Sequence, residues 1–391
     1  MQVKQLRKSP IGALQPVTLH DALSDQQMNT FAFVPAPLPA DVTLSSRTHK
    51  AVAAAHQAIG ELEAGVRRLP NPSLLVRPAL RREAQSTSAL EGTYAPIAEV
   101  LEADFVEDSR RSPEVREVMN FVRAAERGLE LIAKKPICVT VINELQGILV
   151  KGTRGDHYDA GQLRQRHVAI GDEGRGVQHA RFVPPPPGAV LIDGVSAWES
   201  WINAEDDLAL VVKCALGHYQ FETLHPFSDG NGRIGRLIVV LQLVQEQALS
   251  FPLLNISPWF EDRKEQYKDH LLNVSLTGQY DEWIQFFCHA VVAQARDMIN
   301  RTDDLLTIRQ QILDLIRVNK ARGVILDIAE DLIGYPYITP SEAAHRHNVT
   351  YPPANNALRK LEELGVIREL TGGTYGRIFV CRQVLEVIAR R

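Results

Sequence analysis

A twelve-residue stretch in the middle of the chain, HPFSDGNGRIGR at positions 225–236, concentrates residue types that handle phosphates. Three glycines so close together are unfavourable inside a helix or strand, where each one costs about 1 kcal/mol. Glycine N–H groups at the start of a helix instead form a binding site for an anion, most often phosphate. The apolar segment RIGRLIVVLQLV begins a new helix near Asn231 to Arg233, so the glycine loop is predicted to bind phosphate.

Four other side chains of this stretch extend that chemistry. The hard carboxylate oxygens of Asp229 suit a divalent cation. Arg233 and Arg236 are three residues apart, on one face of the following helix, and can clamp further phosphates. His225 can accept a proton at neutral pH, which Lys and Arg cannot. Together with the glycine loop, these four side chains favour a reaction at a nucleotide phosphate. The loop is not a Walker A loop, because no Lys-Ser/Thr follows the glycines.

The elements that must position these residues are mainly helical. Ser112 and Pro113 are the predicted N-cap and first residue of one long helix, and apolar helical patterns flank the glycine-rich stretch on both sides. Between the helices, RHVAIGDEGRGVQHARFVPPPP alternates like a short hairpin and ends in a stiff proline run. The chain has no alternation of strands and helices, which argues against a doubly wound sheet.

The two ends of the chain differ from this helical middle in composition and in predicted secondary structure. Residues 1–48 are rich in proline and predict an extended arm lying on the body. From Ile338 onward, two short helices precede two strand-like runs around a Gly-Gly turn, the order of a winged helix-turn-helix. We predict three parts: an N-terminal arm and helical region (1–105), a catalytic core (106–304), and a linker helix with the winged helix (305–391).

Composition limits the environment in which the chain works. Its 391 residues carry a formal net charge of −4, which gives no general indication of a nucleic-acid partner. The four cysteines are far apart, as expected of free thiols in a reducing compartment. The N-terminus lacks the apolar region of a signal peptide, and no apolar run is long enough to span a membrane. We therefore expect a cytoplasmic protein that does not bind a membrane.

The stretch 225–236 resembles the motif of the Fic family, His-x-Phe-x-Asp/Glu-Gly-Asn-Gly-Arg-x-x-Arg, at every fixed position. The likeness extends over 69–290. Within it, GQLRQRHVAIG…FVPPPP (161–187, called the flap below) resembles the family's flap hairpin, and DRKEQYKDHLLNVSLTGQYDEWIQFF resembles the segment that closes the nucleotide pocket. The resemblance implies a mainly α fold, a Fic-type helical core with a short β-hairpin flap, to which this chain adds a small α+β winged-helix domain found in some members.

The resemblance implies transfer of AMP from ATP to a Ser, Thr or Tyr hydroxyl of a target protein. His225 would deprotonate the hydroxyl, and Asp229 would hold Mg²⁺ between the α- and β-phosphates. The remaining nucleotide-binding residues would be Gly230, Asn231 and Gly232 around the phosphates, Arg233 on the β-phosphate, Arg236 on the γ-phosphate and Tyr267 near the adenine.

Two further functions follow from the same resemblance. Val168, Ala169, Ile170 and Gly171 would offer a strand edge to the target backbone, although a plain surface ribbon explains the flap equally well. Thr87 and Glu91 lie four residues apart in TSALEG, on one face of a helix that ends at Gly92. In relatives with this pattern the Glu pairs with the last arginine of the motif, so Glu91 would occupy Arg236 and inhibit the enzyme.

Other interpretations stay open at this point. The chain could remove AMP from a modified target, act as a related kinase or phosphocholine transferase, or sense ATP as a transcription regulator; intact Gly230 argues against the kinase and phosphocholine variants. The winged helix could bind DNA through Arg359, Lys360 and Arg377, but its acids and bases nearly balance, which favours target docking or a homodimer contact. Self-modification is compatible with all the transferase interpretations.

Overall fold

Helices build most of the molecule, as the sequence predicts. The computed structural model describes residues 2–21, 24–67, 69, 71–171, 176–372 and 376–390. The helices of the N-terminal region and the core are α1 (Val3–Leu6), α2 (Ser46–Val66), α3 (Ser73–Leu90), α4 (Ile97–Glu102), α5 (Pro113–Ile132), α6 (Val139–Val150), α7 (Ala189–Ile202), α8 (Leu210–Leu224), α9 (Asn231–Gln245), α10 (Ser257–Glu261), α11 (Lys264–Thr277) and α12 (Asp281–Val318).

Local capping chemistry sets several of these helix ends. Ser112 caps α5 by accepting a hydrogen bond from the N–H of Val115 (3.2 Å), and Pro113 is its first residue, as predicted. Helix α3 ends at Leu90, and Gly92 beyond it has a φ of +91°, the left-handed conformation that commonly ends a helix. Helix α3 begins at Ser73 and contains Pro78.

The predicted extended arm is wrong in part, because it folds into a β-hairpin. Strands β1 (Gly12–Asp21) and β2 (Gln26–Pro35) pair antiparallel from Gly12↔Pro35 to Asp21↔Gln26. The prolines of this region concealed the alternation in MNTFAFV from the sequence analysis. Pro16 is tolerated because β1 is an edge strand of this two-stranded sheet, where a missing N–H leaves no ladder bond unmade.

The flap contains less regular strand than its sequence predicts. Ile170 and Phe182 form a single antiparallel bridge, in which the Ile170 N–H donates to the Phe182 carbonyl (2.8 Å). Residues 172–175, the predicted tip of the hairpin, lie outside the described residues. The N-terminal hairpin supports the base of the flap, since the Phe33 N–H donates to the Val183 carbonyl (2.9 Å) and the rings of Phe33 and Phe182 lie 5.8 Å apart.

The C-terminal tail contains short elements packed onto the body. They are α13 (Ile325–Asp331), β3 (Tyr337–Ile338), α14 (Pro340–Arg346), α15 (Tyr351–Glu363), β4 (Arg368–Glu369), β5 (Phe379–Val380) and α16 (Arg382–Ala389). The three strands form an antiparallel sheet in the order β3-β5-β4. Part of the predicted Gly-Gly turn, at 373–375, lies outside the described residues, so the winged-helix assignment stays a prediction.

The core of the body continues into the tail. Helix α12 crosses the predicted domain boundary at 304/305 without interruption. One hydrophobic cluster joins buried residues of α2, α8 and α12 to those of the tail, among them Leu358 and Val384. In the parts of the chain that the structure describes, none of the helices is both long and apolar enough to cross a membrane.

Candidate active site

The glycine-rich stretch 225–236 connects two buried helices, α8 and α9, and its first residue has an unusual backbone. His225 caps α8 with a φ of +49°, in the left-handed region. Arg164, which is 2% exposed, holds this turn: its guanidinium donates to the carbonyls of His225 (2.7 Å), Leu224 (3.3 Å) and Pro185 (2.6 Å). Arg164 is therefore a buried residue that holds the backbone of this turn in place.

The rest of the loop is fixed by its own residues. The Asn231 side chain accepts from the Phe227 N–H (2.8 Å) and donates to the Phe227 carbonyl (2.8 Å). Gly230 has a φ of +84°, and a Cβ there would lie 2.8 Å from a Leu149 methyl group. The Asn231 side chain is thus occupied by the loop itself, and the loop offers a ligand the backbone N–H groups of the first turn of α9.

A cavity of about 660 Å³ opens at this end of α9, within the usual size of a small-molecule site. Nine of the residues singled out from the sequence line it: Glu91, Ile170, Gly171, His225, Asp229, Gly232, Arg233, Arg236 and Tyr267. Thr87, Val168, Ala169, Gly230 and Asn231 are not among its lining residues. Residues separated by up to 176 positions, from Glu91 to Tyr267, therefore face one volume.

Arg236 is held by the end of α3. Its Nε donates to the Thr87 hydroxyl (2.7 Å), and its Nη2 donates to the Thr87 carbonyl (3.1 Å) and to Glu91 Oε1 (2.5 Å). Arg236 is 1% exposed, whereas the Glu91 side chain is 37% exposed at the cavity. Burial alone would raise the pKa of Glu91, but the charges of Arg236 and Arg233 outweigh it and hold that pKa below its ordinary value.

Arg233 joins two carboxylates. Its Nη1 donates to Glu117 at close range, and its Nη2 lies 3.0 Å from Asp229 Oδ1. Glu117 also accepts from the Thr93 hydroxyl (3.0 Å), so the carboxylate is tied to the loop that follows Glu91. The described residues contain no cluster of three or more His, Cys, Asp or Glu side chains around a metal site. Asp229 nevertheless fits Mg²⁺, which proteins often bind through one carboxylate plus phosphate oxygens and waters.

The electrostatics of the cavity keep His225 neutral. Burial and the nearby charge of Arg164 lower its pKa to about 4, against smaller opposing effects of the Glu91 and Asp229 carboxylates. Its Nδ1 is buried and has no hydrogen-bond partner among the described residues. The imidazole is therefore unprotonated at neutral pH, the state that a proton acceptor requires.

Tyr267 is a buried residue of the site and is hydrogen-bonded to helix α8. It is 5% exposed, and its hydroxyl lies 2.8 Å from Nε2 of His218, a buried residue one turn before Glu222 on α8. Burial raises the pKa of Tyr267 well above its ordinary value, so the phenol stays neutral. Tyr267 lies next to Arg236 and lines the cavity, and its contact with the adenine stays a prediction.

Sequence reasoning missed several supporting residues: Glu117, Gln146, His218 and Glu222. Gln146 donates to the Asp229 carbonyl (3.0 Å) and accepts from the Gly161 N–H (2.6 Å), which joins the loop that contains Asp229 to the start of the flap. A lone acid inside the apolar helix GHYQFETL was an available signal for Glu222, because a buried carboxylate needs a reason. Nothing local distinguished Glu117 or Gln146 from ordinary helix residues.

Comparison with known proteins finds similarity over the N-terminal helical region and over the region that contains the glycine-rich stretch. A family model for the Fic/DOC family N-terminal region matches residues 49–130, and one for the Fic/DOC family matches residues 136–243. The chain is similar to Protein adenylyltransferase Fic of Drosophila grimshawi (27% identity over 239 residues, 60% of this chain and 45% of that protein). The same-named protein of Culex quinquefasciatus is 27% identical over 230 residues, 55% of this chain and 39% of that protein.

The matches to the curated relatives cover only part of each relative. The chain spans less than half the length of these two curated relatives. Among solved structures, a Fic family protein from Desulfovibrio desulfuricans G20 matches with a TM-score of 0.57 and 18% identity, over 87% of this chain and 97% of that one. At that identity the likeness concerns the fold alone.

Proposed function

We propose that this chain, which belongs to the Fic/DOC family, transfers AMP from ATP to a hydroxyl group of a protein. The observation that carries the proposal is the convergence of His225, Asp229 and Arg236 on one cavity at the N-terminus of α9. The names of the relatives support the same reaction at the level of the family.

The chemistry requires a base, an anion cradle and charge neutralisation. Neutral His225 accepts the proton as the hydroxyl oxygen attacks the α-phosphorus; a new P–O bond forms, the bond to the β-phosphate oxygen breaks, and pyrophosphate leaves. The first-turn N–H groups of α9, Arg233 and Arg236 hold the phosphates in place, and such positioning and neutralisation supply most of the catalysis in phosphoryl transfer. Negative phosphates beside His225 would raise its pKa toward the range that suits a general base.

Asp229 is the proposed Mg²⁺ ligand. When bound, the ion would neutralise negative charge on the pyrophosphate as it leaves. Asp229 Oδ1 faces Arg233 at 3.0 Å, so the carboxylate would be shared between the arginine and the metal. Gln146 and Gly155, which adjoin Asp229, would keep the carboxylate aimed into the cavity.

The ion pair between Glu91 and Arg236 is the proposed inhibitory contact. A γ-phosphate can use Arg236 only if Glu91 gives it up, because the Nη2 group is already bonded to the carboxylate at 2.5 Å. Thr87 would hold the arginine in place when Glu91 moves, since its hydroxyl binds Nε, which Glu91 does not contact. Relief of the inhibition would therefore require only a local displacement at the end of α3.

The target is proposed to dock along the flap. Ile170 and Gly171 line the cavity, and Val168 and Ala169 continue the same edge away from it. A target strand paired there would bring its hydroxyl toward His225 by main-chain hydrogen bonds, the logic of strand addition. We also propose that the chain forms a homodimer, modifies itself and works in the cytoplasm.

ATP labelled at the α or the γ position tests the function directly. The full chain carrying Glu91→Gly should transfer label to protein from α-labelled ATP only, and the matched variant with His225→Ala added should transfer almost none. Label arriving from the γ position would show a kinase and overturn the proposal. Loss of AMP from a pre-labelled protein without any net transfer would show the reverse reaction instead.

A further inference from the structure

The cavity contains a third carboxylate, besides Glu91 and Asp229, to which the proposed reaction gives no role. Glu222 lies on α8, three residues before His225, and lines the cavity beside Thr223. Its Oε1 is fully buried and has no hydrogen-bond partner among the described residues. The oxygen approaches α9 so closely that a Cβ on Gly235 would lie 2.5 Å from it.

An unpartnered buried carboxylate is costly, so its presence calls for an explanation. Burial raises the pKa of Glu222 to about 7; Arg236 lowers this value and Glu91 raises it. A carboxyl group with that pKa is a hydrogen-bond donor below neutral pH and a bare negative charge above it. Because Glu222 lines the cavity, its carboxyl group can reach a ligand there, although Oε1 itself is closed off.

The surroundings of Glu222 indicate which part of a nucleotide it meets. Its neighbours on α9 are Gly235 and Arg236, one turn beyond the phosphate-binding start of the helix. The apolar side of the cavity, which suits a flat base, is formed elsewhere, by Ile170, Leu271 and Leu272. Glu222 thus belongs to the phosphate end of the cavity.

We propose that Glu222 binds the terminal phosphate of a nucleoside triphosphate as a protonated carboxyl group, so that triphosphate binding takes up a proton. The inference rests on the proposed function, because it assumes that the triphosphate displaces Glu91 from Arg236. A neutral Glu222 donates a hydrogen bond to a phosphate oxygen, whereas an ionised one repels it. Binding therefore weakens as the pH rises through the pKa of the free side chain.

The groups that face Glu222 do not titrate in the same range. From its own helix, burial lowers the pKa of His218 to about 3, so this side chain stays neutral. From α11, Tyr267 has a pKa raised by burial and also stays neutral. From α9 and α3, Arg236 stays positive, and Glu91, with its lowered pKa, stays negative. Glu83 on α3, whose pKa burial also raises to about 7, is bonded to Ser257 and is unchanged in every variant, so the difference made by Glu222→Gln isolates the proton change of Glu222.

The test measures ATP binding by calorimetry in the full chain carrying Glu91→Gly and His225→Ala, which frees Arg236 and prevents turnover. With Glu222 present, the Kd for Mg·ATP should rise roughly tenfold between pH 7 and pH 8.5, and binding in buffers of different ionisation enthalpy should show uptake of almost one proton. Adding Glu222→Gln, the uncharged isostere, should abolish both effects. AMP, which lacks the terminal phosphates, should bind without proton uptake in either protein.

A second variant separates the hydrogen bond from the charge. Glu222→Ala should bind Mg·ATP more weakly than Glu222→Gln at pH 6.5, by roughly tenfold, because it lacks the donor. Equal proton uptake with and without Glu222, or equal changes in AMP and ATP affinity, would overturn the inference and leave the proposed function intact. Failure of every variant to bind ATP at any pH would overturn both.

Discussion

The basic residues of the cavity and those of the C-terminal tail are alike in type and opposite in setting. Arg233 and Arg236 are each 1% exposed and pair with carboxylates more than 100 residues away in the chain. In the tail, Lys360 pairs with Glu363 on the next turn (3.0 Å) and is 44% exposed, and Arg377 pairs with Glu369 (3.6 Å). Arg359 is exposed on α15.

This difference separates buried charges that line a cavity from charges that are exposed or paired within the tail. A buried pair can rearrange when a stronger anion arrives, because the low dielectric makes its electrostatic energy large. An exposed pair contributes little and is screened by salt. We therefore expect substitutions in the cavity to change activity strongly and those in the tail to change it little.

The largest effect is expected from His225→Ala. Loss of the general base should lower AMP transfer by about 10²- to 10⁴-fold while ATP binding stays nearly intact, because the base acts on the transition state more than on the bound substrate. Radiolabel transfer gives the rate, and nucleotide binding with the melting temperature shows that the fold is retained. Near-wild-type transfer by this variant would contradict the role of His225.

Glu91→Gly should act in the opposite direction. If Arg236 is competent for the γ-phosphate in only about 1 to 10% of the molecules, freeing it should raise transfer about 10- to 100-fold, self-modification included. Arg236→Ala should not reproduce the gain, because it removes the phosphate clamp together with the inhibitory contact. Equal or lower transfer by Glu91→Gly on the same substrate would mean that the ion pair only stabilises the end of α3.

Asp229→Ala should shift the dependence on metal. Without the carboxylate, half-maximal transfer should need about tenfold more Mg²⁺, the lower end of what lost metal-site interactions usually cost. Asp193→Ala, an exposed acid on α7, is the matched control and should leave the magnesium titration unchanged. An unchanged titration for Asp229→Ala as well would assign the metal to other ligands.

The tail should give the smallest effect. Replacing Arg359, Lys360 and Arg377 together by Ala should change AMP transfer by less than about twofold, since these charges are exposed or already paired. The full chain should likewise retain no duplex DNA in low salt. Retention that falls steeply with salt and disappears in the triple variant would restore DNA binding as the role of the tail.

Much of the fold followed from short-range rules. The Ser112 cap, the Gly92 helix end and the run of core helices depend on residues within one or two turns, which the sequence displays directly. The N-terminal hairpin was missed because prolines concealed its alternation and its register is set by pairing across the chain. The flap lost most of its predicted strand character for a related reason, since an isolated hairpin is only marginally stable.

The sequence by itself determined the chemistry at 225–236, because a phosphate loop needs glycines, a helix start and nearby cations within a dozen residues. The tertiary structure alone decided which polar side chains around this stretch are already hydrogen-bonded and which are not. Arg164 became a buried clamp, Asn231 a loop tie and Glu222 a carboxyl group without a partner. Protonation and hydrogen bonding depend on burial and on neighbours from distant helices, which residue order does not specify.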